Sequence, residues 1–538
     1  MKAKHILAMA SLLAVASCQT PNPLQVRTQQ GIVEGVQLDE QVRAYLGVPF
    51  AEPPVGNLRW TAPKPHRNWD GVLQTKKFGP DPVQLPIFGD MAFRGDGQSE
   101  DCLYLNIWTS AKSDKDSLPV LIYFNGGGLF AGSGSEPRYD GASIAREGVI
   151  GITANYREGI FGFFAHPSLT AESGYNGSGN YGFLDQAMAI QWVRDNIVKF
   201  GGDPNRINIV GESAGSFSVS LLMCSPLSKN NIAGALLSSG AEVLPLVATP
   251  LKDAENEGVG MLESRNIGGI EDARSISADS LQKLFPPSMK RVVIDGYFMT
   301  EPADSVFIKG KQAQVPLLAG WNSLEGVPSS PTLEGYKNQM RNLFGDMTDE
   351  IFEAYGIKAD KDVMQAPGFT LASDLFTGFP TWKVCDYHAT TSNQPVYRYK
   401  FNHPRPRVSA KMGDKTGALA GGVRDKTEEE KNAEEQIAPG AVHSADIEYA
   451  MGNLRTNEYY DWTDDDYEIS RVFITYYANF CKNNGDPNGP SVPKWTPING
   501  KLDNAPVMQI DVKTEEVSSS ALENAYRTLE KFYKNRTN

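Results

Sequence analysis

The chain has 538 residues, of which 41% are hydrophobic, 10% aromatic and 21% charged. That composition excludes a largely disordered or collagen-like protein. The 64 acidic residues outnumber the 51 basic ones, which gives a net charge of −13. An acidic protein repels phosphate backbones, and because no basic stripe relieves that repulsion we expect no nucleic-acid partner.

The N-terminus has the features of an export signal. Lys2 and Lys4 precede a mostly apolar run over residues 6–16. That run is too short to span a bilayer, which takes about 20 residues as a helix. A basic start followed by a short apolar core is typical of a cleaved signal peptide, so we expect the protein to be exported.

The signal ends in the residues VASC at positions 15–18. They resemble the lipobox of bacterial lipoproteins, in which cleavage precedes a lipid-modified cysteine. The resemblance predicts a signal peptide over residues 1–17 and a membrane anchor at Cys18, facing the periplasm or the cell exterior. An ordinary cleaved signal is the alternative. Two lysines and no acids lie in residues 1–17, so the mature chain carries a net charge of −15.

Four further cysteines are spread over the chain: Cys102, Cys224, Cys385 and Cys481. Four thiols allow three complete disulfide pairings that the sequence cannot rank. A chain of this length does not need disulfides for stability, so we expect buried free thiols. These cysteines and the six histidines form no cluster of metal ligands, and we expect neither a metal nor another cofactor.

The pattern of apolar runs predicts an α/β protein. From about residue 24 to 110, short apolar runs alternate with Pro and Gly, which favours short strands and long turns. Strands are then predicted at 118–124, 149–156, 207–210 and 316–321, and helices at 183–200 and 469–481. Strands that alternate with helices predict a mostly parallel sheet covered on both faces. No linker divides the mature chain, so residues 18–538 are predicted to form one domain.

One polar segment interrupts this pattern. Residues 411–440 are rich in Gly, Asp, Lys and Glu and contain few apolar residues. We interpret the segment as a solvated surface insertion with room for a short surface helix. A lid over a binding site is the alternative, because the segment ends just before His443.

A candidate nucleophile lies in the sequence GESAG at 211–215. It follows the strand predicted at 207–210 and opens a helical run at 214–223. A tight strand-to-helix turn lifts the serine hydroxyl clear of the backbone, and the two glycines let strand and helix approach closely. The pattern G-x-S-x-G alone occurs often by chance. This context makes Ser213 a candidate nucleophile.

A run of glycines follows another strand. The sequence NGGGL at 125–129 directly follows the strand predicted at 118–124. Backbone N–H groups of such a loop can point at a developing oxyanion without obstruction by side chains. A flexible turn is the alternative. Beside the serine turn, we expect an oxyanion hole formed by Gly127, Gly128 and Ala214.

Several motifs in the same order resemble the type-B carboxylesterases, the cholinesterase-like branch of the α/β-hydrolase fold. They are EDCLYLN at 100–106, LGVPFAEPP at 46–54, LRW at 58–60, NYR at 155–157, LDQ at 184–186, FGGDP at 200–204, the serine turn and NGDPN at 484–488. The resemblance covers most of the mature chain. It implies an α/β-hydrolase fold: a large, mostly parallel central sheet flanked by helices, with a β-rich N-terminal region and insertions.

The resemblance also implies a catalytic triad in the chain order Ser, acid, His. The sequence GWNSLEG at 320–326 resembles the acid site and makes Glu325 the orienting carboxylate. The sequence GAVHSADI at 440–447 resembles the stretch that carries the base, which makes His443 the proton acceptor. An exposed loop glutamate is the alternative for Glu325. The other histidines are expected to be structural.

Three positions depart from the family pattern. Asn125 stands where many members have His or Tyr, so the support of the glycine loop is expected to differ. Pro82 stands where a cysteine partner of Cys102 would be expected, which favours a free Cys102. Ala92 aligns with the tryptophan that holds choline in cholinesterases, so we expect a weak choline site.

Together these features predict an exported serine carboxylesterase acting on small-molecule esters through an acyl-enzyme. One alternative is a catalytically silent binding or adhesion protein on the same fold. Another is an amidase or acyltransferase with the same triad, because these reactions share the acyl-enzyme. The natural ester and the oligomeric state cannot be inferred from the sequence.

Overall fold

The computed structural model describes residues 22–285, 292–432, 437–498, 500 and 502–537. The predicted signal peptide at 1–17 and the predicted lipid site at Cys18 lie outside the described residues. None of the described helices combines the length and the apolar character that crossing a membrane requires.

An eleven-stranded sheet forms the centre of the described part of the chain. In chain order its strands are β1 (Val36–Gln37), β2 (Arg43–Pro49), β3 (Tyr104–Thr109), β4 (Leu118–Phe124), β5 (Ile150–Ala154), β6 (Gly202–Glu212), β7 (Gly234–Ser238), β8 (Leu317–Asn322), β9 (Val396–Phe401), β10 (Pro506–Ile510) and β11 (Glu515–Ser518). Their order across the sheet is β11-β10-β9-β8-β7-β6-β4-β5-β3-β2-β1.

The middle of the sheet is parallel and its margins are antiparallel. Every pairing from β10 to β5 is parallel. The pairings of β5 with β3, β3 with β2, β2 with β1 and β10 with β11 are antiparallel. The carboxyl ends of the central strands therefore lie along one edge of the sheet, where open α/β sheets bind their ligands.

Both faces of the sheet are buried, which explains why its strands are continuous apolar runs rather than alternating ones. Within β4, Val120, Ile122 and Phe124 pack into one hydrophobic cluster. Leu121 and Tyr123 pack into another cluster on the opposite face. Successive side chains of a strand point to opposite faces, so one apolar strand supplies two cores.

Helices cover the sheet and connect its strands. The α-helices span Ala142–Arg146, Gly159–Gly162, Pro167–Glu172, Tyr181–Asn196, Ala214–Cys224, Leu251–Glu263, Ile270–Ser275, Ala278–Leu284, Ala303–Ile308, Leu333–Phe344, Thr348–Ala354, Asp360–Val363, Ala366–Ser373, Phe379–Thr391, Glu428–Lys431, Ile447–Ala450, Asp464–Lys482 and Ser520–Thr537. A π-helical turn at Asp374–Gly378 joins two of them.

Short strands outside the main sheet pair locally. Gln25–Arg27, Ile32–Glu34 and Val72–Gln74 form a three-stranded sheet. Two-stranded pairs join Asp81–Pro82 with Gln98–Ser99, Thr249–Pro250 with Val293–Ile294, and Lys415–Gly417 with Val423–Asp425. The β-rich N-terminal region is therefore observed as predicted.

The predicted elements differ from the observed ones mainly at their ends. The strand predicted at 149–156 is Ile150–Ala154, and the helix predicted at 183–200 ends in a 3-10 turn at Ile197–Phe200. The strand predicted at 207–210 is the buried half of the longer Gly202–Glu212. In the last case the apolar run marks only the buried part of the strand, and in general the ends of helices and strands fray.

Four motifs of the sequence form two ion pairs that link separate segments, one partly buried and one buried. Arg59 donates two hydrogen bonds to Glu100, both 2.6 Å long. Arg157 likewise binds Asp185, at 2.8 and 2.7 Å. Breaking such a pair would leave a buried charge without a partner, which typically costs about 3–5 kcal/mol.

Cys102, Cys224, Cys385 and Cys481 are buried and unpaired among the described residues. Burial raises the pKa of Cys385 to about 11, so its thiol stays protonated at neutral pH. The structure therefore agrees with the expectation of buried free thiols.

Candidate active site

Ser213 lies in a sharp turn between β6 and the helix Ala214–Cys224. Its backbone has φ 56° and ψ −122°, a conformation that L-residues rarely adopt. A Cβ on Gly211 would lie 2.3 Å from the carbonyl carbon of Gly215, and one on Gly215 would lie 2.1 Å from the carbonyl oxygen of Phe124. The close crossing of strand and helix therefore requires glycine at both positions.

A chain of hydrogen bonds connects the three residues that the sequence proposed as a triad. The Ser213 hydroxyl oxygen lies 2.9 Å from Nε2 of His443, within hydrogen-bond distance. Nδ1 of His443 lies 2.5 Å from Oε2 of Glu325 and donates to it. His443 and Glu325 are both buried. This is the geometry that a serine nucleophile, a base and an orienting acid require.

The other oxygen of Glu325 is held by its own neighbours. Oε1 accepts a hydrogen bond of 2.7 Å from the backbone N–H of Asn322 and one of 2.5 Å from the Ser239 hydroxyl. Asn322 ends β8, and Ser239 directly follows β7. The ends of two neighbouring parallel strands therefore fix the carboxylate, and sequence reasoning did not identify either residue.

Asp446 lies three residues after His443 but has other partners. It accepts hydrogen bonds from the Ser238 hydroxyl, from Nδ2 of Asn322 over 3.0 Å and from the Tyr399 hydroxyl over 3.1 Å. These contacts brace the ends of the strands, and His443 has its Nδ1 contact with Glu325 instead.

The glycine loop lies directly above the serine turn. Gly127 and Gly128 have φ values of +105° and +71°, and both line the cavity that contains Ser213. The N–H groups of Gly127, Gly128 and Ala214 make no hydrogen bond to any other described residue. Three candidate donors are therefore available beside the serine hydroxyl.

Asn125 supports this loop from below. Its Nδ2 donates to the carbonyl of Gly126 and to Oε1 of Glu158, both over 3.0 Å. The Tyr156 hydroxyl donates to the Asn125 carbonyl over 2.8 Å. Asn125, which replaces the His or Tyr of many family members, thus supports the loop through its side-chain amide.

Glu212 is a second carboxyl beside the base. Its Oε1 lies 3.3 Å from Nε2 of His443. Burial raises the pKa of Glu212, although the charge of His443 acts to lower it. Burial would lower the pKa of His443, but the charges of Glu212 and Glu325 outweigh it and raise that pKa above its ordinary value. No role for Glu212 was predicted from the sequence.

The site opens into an apolar cavity of about 300 Å³. Aromatic and aliphatic residues form most of its wall: Phe88, Met91, Leu129, Phe130, Phe183, Phe217, Leu246, Val292, Phe376 and Leu419. The ring of Phe376 lies 4.9 Å from the ring of His443. Arg138 and Glu242 add charged groups. A cavity of this kind suits an uncharged apolar group beside a polar reacting centre.

The polar segment at 411–440 reaches this cavity. It contains a 3-10 turn at Ala410–Met412, the hairpin of Lys415–Gly417 with Val423–Asp425, and a short helix at Glu428–Lys431. The turn of the hairpin places Leu419, which is 50% exposed, at the rim of the cavity. Whether the segment moves as a lid stays a prediction.

The position predicted to lack a choline-binding ring lies beside the catalytic cavity. Ala92 lines a neighbouring cavity of about 220 Å³. Arg138 and Ala420 line both cavities. Arg138 is paired with Glu136 there, so its charge is neutralised and the expectation of a weak choline site rests on Ala92 alone.

Two other histidines have structural contacts. Nδ1 of His388 lies 3.0 Å from Nε2 of Gln312, and its Nε2 lies 2.7 Å from the Val315 carbonyl oxygen. Burial lowers the pKa of His388 to about 4. His403 contacts Asp466. In the described part of the chain, no group of three or more metal-ligating side chains could hold an ion.

Comparison with known proteins identifies the family. Residues 22–529 match the family model described as the carboxylesterase family. The chain belongs to this family. Its relatives include a protein named fumonisin B1 esterase from Sphingopyxis macrogoltabida, 37% identical over 73% of each chain. Liver carboxylesterase 1 of Oryctolagus cuniculus is 31% identical, covering 91% of this chain and 90% of the relative.

Solved structures agree with this assignment. A structure titled thermophilic PNB esterase superimposes with a TM-score of 0.76 at 25% identity, covering 94% of this chain and all of the other. The α/β-hydrolase fold and the carboxylesterase resemblance are therefore confirmed. The enzyme is a carboxylic ester hydrolase, and small-molecule esters are the substrates that fit the family.

Proposed function

We propose that this carboxylesterase is an exported serine hydrolase in which Ser213 is the nucleophile, His443 the general base and acid, and Glu325 the orienting carboxylate. The observation that carries the proposal is the unbroken hydrogen-bond chain from the Ser213 hydroxyl through His443 to Glu325. Its position beneath a glycine loop with unbonded N–H groups supports acyl transfer rather than a structural role.

Acylation begins with attack of Ser213 on the ester carbonyl. A serine hydroxyl is a weak nucleophile at neutral pH, so His443 takes its proton through Nε2 as the new C–O bond forms. Glu325 holds Nδ1–H of His443, which fixes the tautomer and stabilises the imidazolium. The N–H groups of Gly127, Gly128 and Ala214 stabilise the oxyanion, and loss of one such donor typically costs about 3 kcal/mol.

Collapse of the tetrahedral intermediate releases the alcohol. His443 returns its proton to the leaving oxygen, and the acyl group stays on Ser213. Water then attacks this acyl-enzyme with His443 again acting as base, and the acid leaves as the hydroxyl of Ser213 is restored. Overall, one ester and one water give one alcohol and one carboxylic acid.

A covalent probe tests the assignment of the nucleophile. A fluorophosphonate should add its mass to the peptide that contains Ser213 in the intact enzyme. Ser213→Ala should not be labelled and should lose activity towards p-nitrophenyl esters by several orders of magnitude. Labelling at another residue, or full activity of the variant, would contradict the proposal. Matched anilides tested beside the esters would detect amidase activity.

We further propose that the mature protein begins at Cys18 and is anchored by lipid. The VASC sequence at 15–18 supports it. A single acyl chain binds a membrane only marginally, so stable anchoring needs more than one chain. The wild-type enzyme should enter the detergent phase, whereas Cys18→Ser should leave the membrane fraction or stall in processing. A soluble wild-type protein with a different N-terminus would support the ordinary signal peptide instead.

A further inference from the structure

A second cavity lies next to the catalytic one. It has a volume of about 530 Å³, and Leu419 lines both cavities. Its wall combines residues 405–408, the hairpin of Lys415–Gly417 with Val423–Asp425, and residues near Val442. A volume of this size is within the range of sites for small organic ligands.

The charge of this cavity is opposite to that of the protein. Arg405, Arg407 and Arg424 line it, and no Asp or Glu is found among its described lining residues. Arg424 pairs with Glu430 over 2.6 Å. Arg407 is exposed and makes no ion pair with any described residue. Arg405 pairs with Glu448, so among the described residues Arg407 supplies the positive charge of this wall that no carboxylate neutralises.

Arg405 is a buried group with unused donors. It is 7% exposed. Its Nη2 donates to the Ser444 carbonyl over 2.8 Å and to Oε2 of Glu448 over 3.0 Å. Its Nε and Nη1 have no hydrogen-bond partner among the residues that the structure describes. A buried donor without a partner is costly, and a guanidinium is well suited to a planar anion.

The rest of the wall is apolar or aromatic. Val408, Leu419, Ile437, Val442 and Tyr460 line the cavity beside the arginines. Leu419 and Ile437 are about half exposed, at 50% and 47%. A ligand that matches this wall would combine an anionic head with a hydrocarbon chain, because the chain would cover apolar surface that is now in water.

We propose that this cavity is a second ligand site, separate from the catalytic cavity, that binds an amphiphilic carboxylate. Its head group would bind the arginines, which present charged donors to a carboxylate. Its hydrocarbon chain would lie against Val408, Leu419 and Ile437. The proposal concerns binding alone and does not depend on which residue is the nucleophile.

Calorimetry with decanoate tests the proposal on the full-length enzyme. Decanamide has the same chain without charge, and acetate has the charge without the chain. We expect decanoate to bind at least tenfold more tightly than either. We expect this binding to persist after the catalytic cavity is blocked by a covalent fluorophosphonate. Binding that disappears on blocking, or equal affinity for decanamide, would overturn the proposal.

Two variants locate the site independently of the blocking reaction. Arg407→Gln combined with Arg424→Gln should weaken decanoate binding about tenfold, and Ala418→Trp should abolish it by filling the cavity. Arg27→Gln combined with Arg341→Gln is the matched control. Arg27 is exposed, and Arg341 pairs with Glu334 at the surface. Unchanged binding in both cavity variants, with melting temperatures like the wild type, would also overturn the proposal.

Discussion

The floor of the catalytic cavity and its rim are built in different ways. The floor consists of residues at the ends of parallel strands: Ser213 follows β6, Glu325 follows β8 and the glycine loop follows β4. Within it, Glu325 and His443 are buried and are joined to the partly buried Ser213 by short hydrogen bonds. The rim includes Phe376 and Leu419, which are 41% and 50% exposed.

This difference separates the residues that carry out the reaction from those that select the ester. The sheet fixes the atoms that any acyl transfer needs, whereas the rim is carried on a π-helical turn and a hairpin outside the sheet. Loops on a rigid scaffold vary more easily than the scaffold, and function changes with them. We therefore expect changes in the floor to abolish turnover and changes in the rim to alter the choice of ester.

The largest effect is expected at the acid of the triad. Glu325→Gln should lower kcat about 10⁴-fold with little change in folding, because the amide favours the wrong tautomer of His443. Asp446→Asn is the matched control, since Asp446 is also buried and carries the same charge. Its kcat should fall far less. A large fall in kcat for Asp446→Asn, with a near wild-type kcat for Glu325→Gln, would show that Asp446 rather than Glu325 orients His443.

The sequence predicted the floor because its chemistry depends on local patterns. The glycines of GESAG and NGGGL are required by close approaches of the backbone, so these motifs can be recognised in the sequence itself. It did not reveal Ser239, Asn322 or Glu212, because their roles arise from contacts between separate strands. The rim was predicted least well: residues 411–440 were identified as polar, but the placement of Leu419 depends on a turn that polarity alone does not determine.

The next effect is expected in the glycine loop. A Cβ at residue 127 would lie 1.9 Å from the Ala131 carbonyl oxygen, and φ is +105° there. Gly127→Ala should therefore displace the loop and lower kcat about 10²–10³-fold, as loss of an oxyanion donor does. Gly174→Ala is the control, since residue 174 has φ +77° with no atom near its Cβ. An equal fall in kcat in both variants would show that backbone strain alone, and not the loss of an oxyanion donor, lowers activity.

A smaller effect is expected at Glu212. His443 accepts the serine proton only when it is neutral, so kcat/KM should rise with pH through the pKa of His443. The charge of Glu212 raises that pKa. Glu212→Gln should therefore move the acid limb of the pH profile to lower pH. Glu242→Gln, in the same cavity, should leave the limb in place. A limb that stays or moves to higher pH would show that Glu212 does not act on His443.

The smallest effect is expected at the rim. Leu419→Ser removes an apolar group that is half exposed, so stability should change by no more than about 0.5 kcal/mol. The KM for a medium-chain p-nitrophenyl ester should rise a few-fold, because part of the apolar contact along the chain is lost. The kcat/KM for the acetyl ester should stay near the wild-type value, since a short acyl group remains near Ser213.

Ile308→Ser is the control for this change, because Ile308 is 57% exposed and lies outside the residues that line the catalytic cavity. If Leu419→Ser lowered kcat for the acetyl ester as strongly as for the longer one, the hairpin would support the reacting groups themselves. The division between floor and rim would then fail at this point, since an exposed side chain outside the sheet would be needed for the chemistry. A loss of activity confined to the longer ester would instead show that the rim determines the selectivity for acyl-chain length.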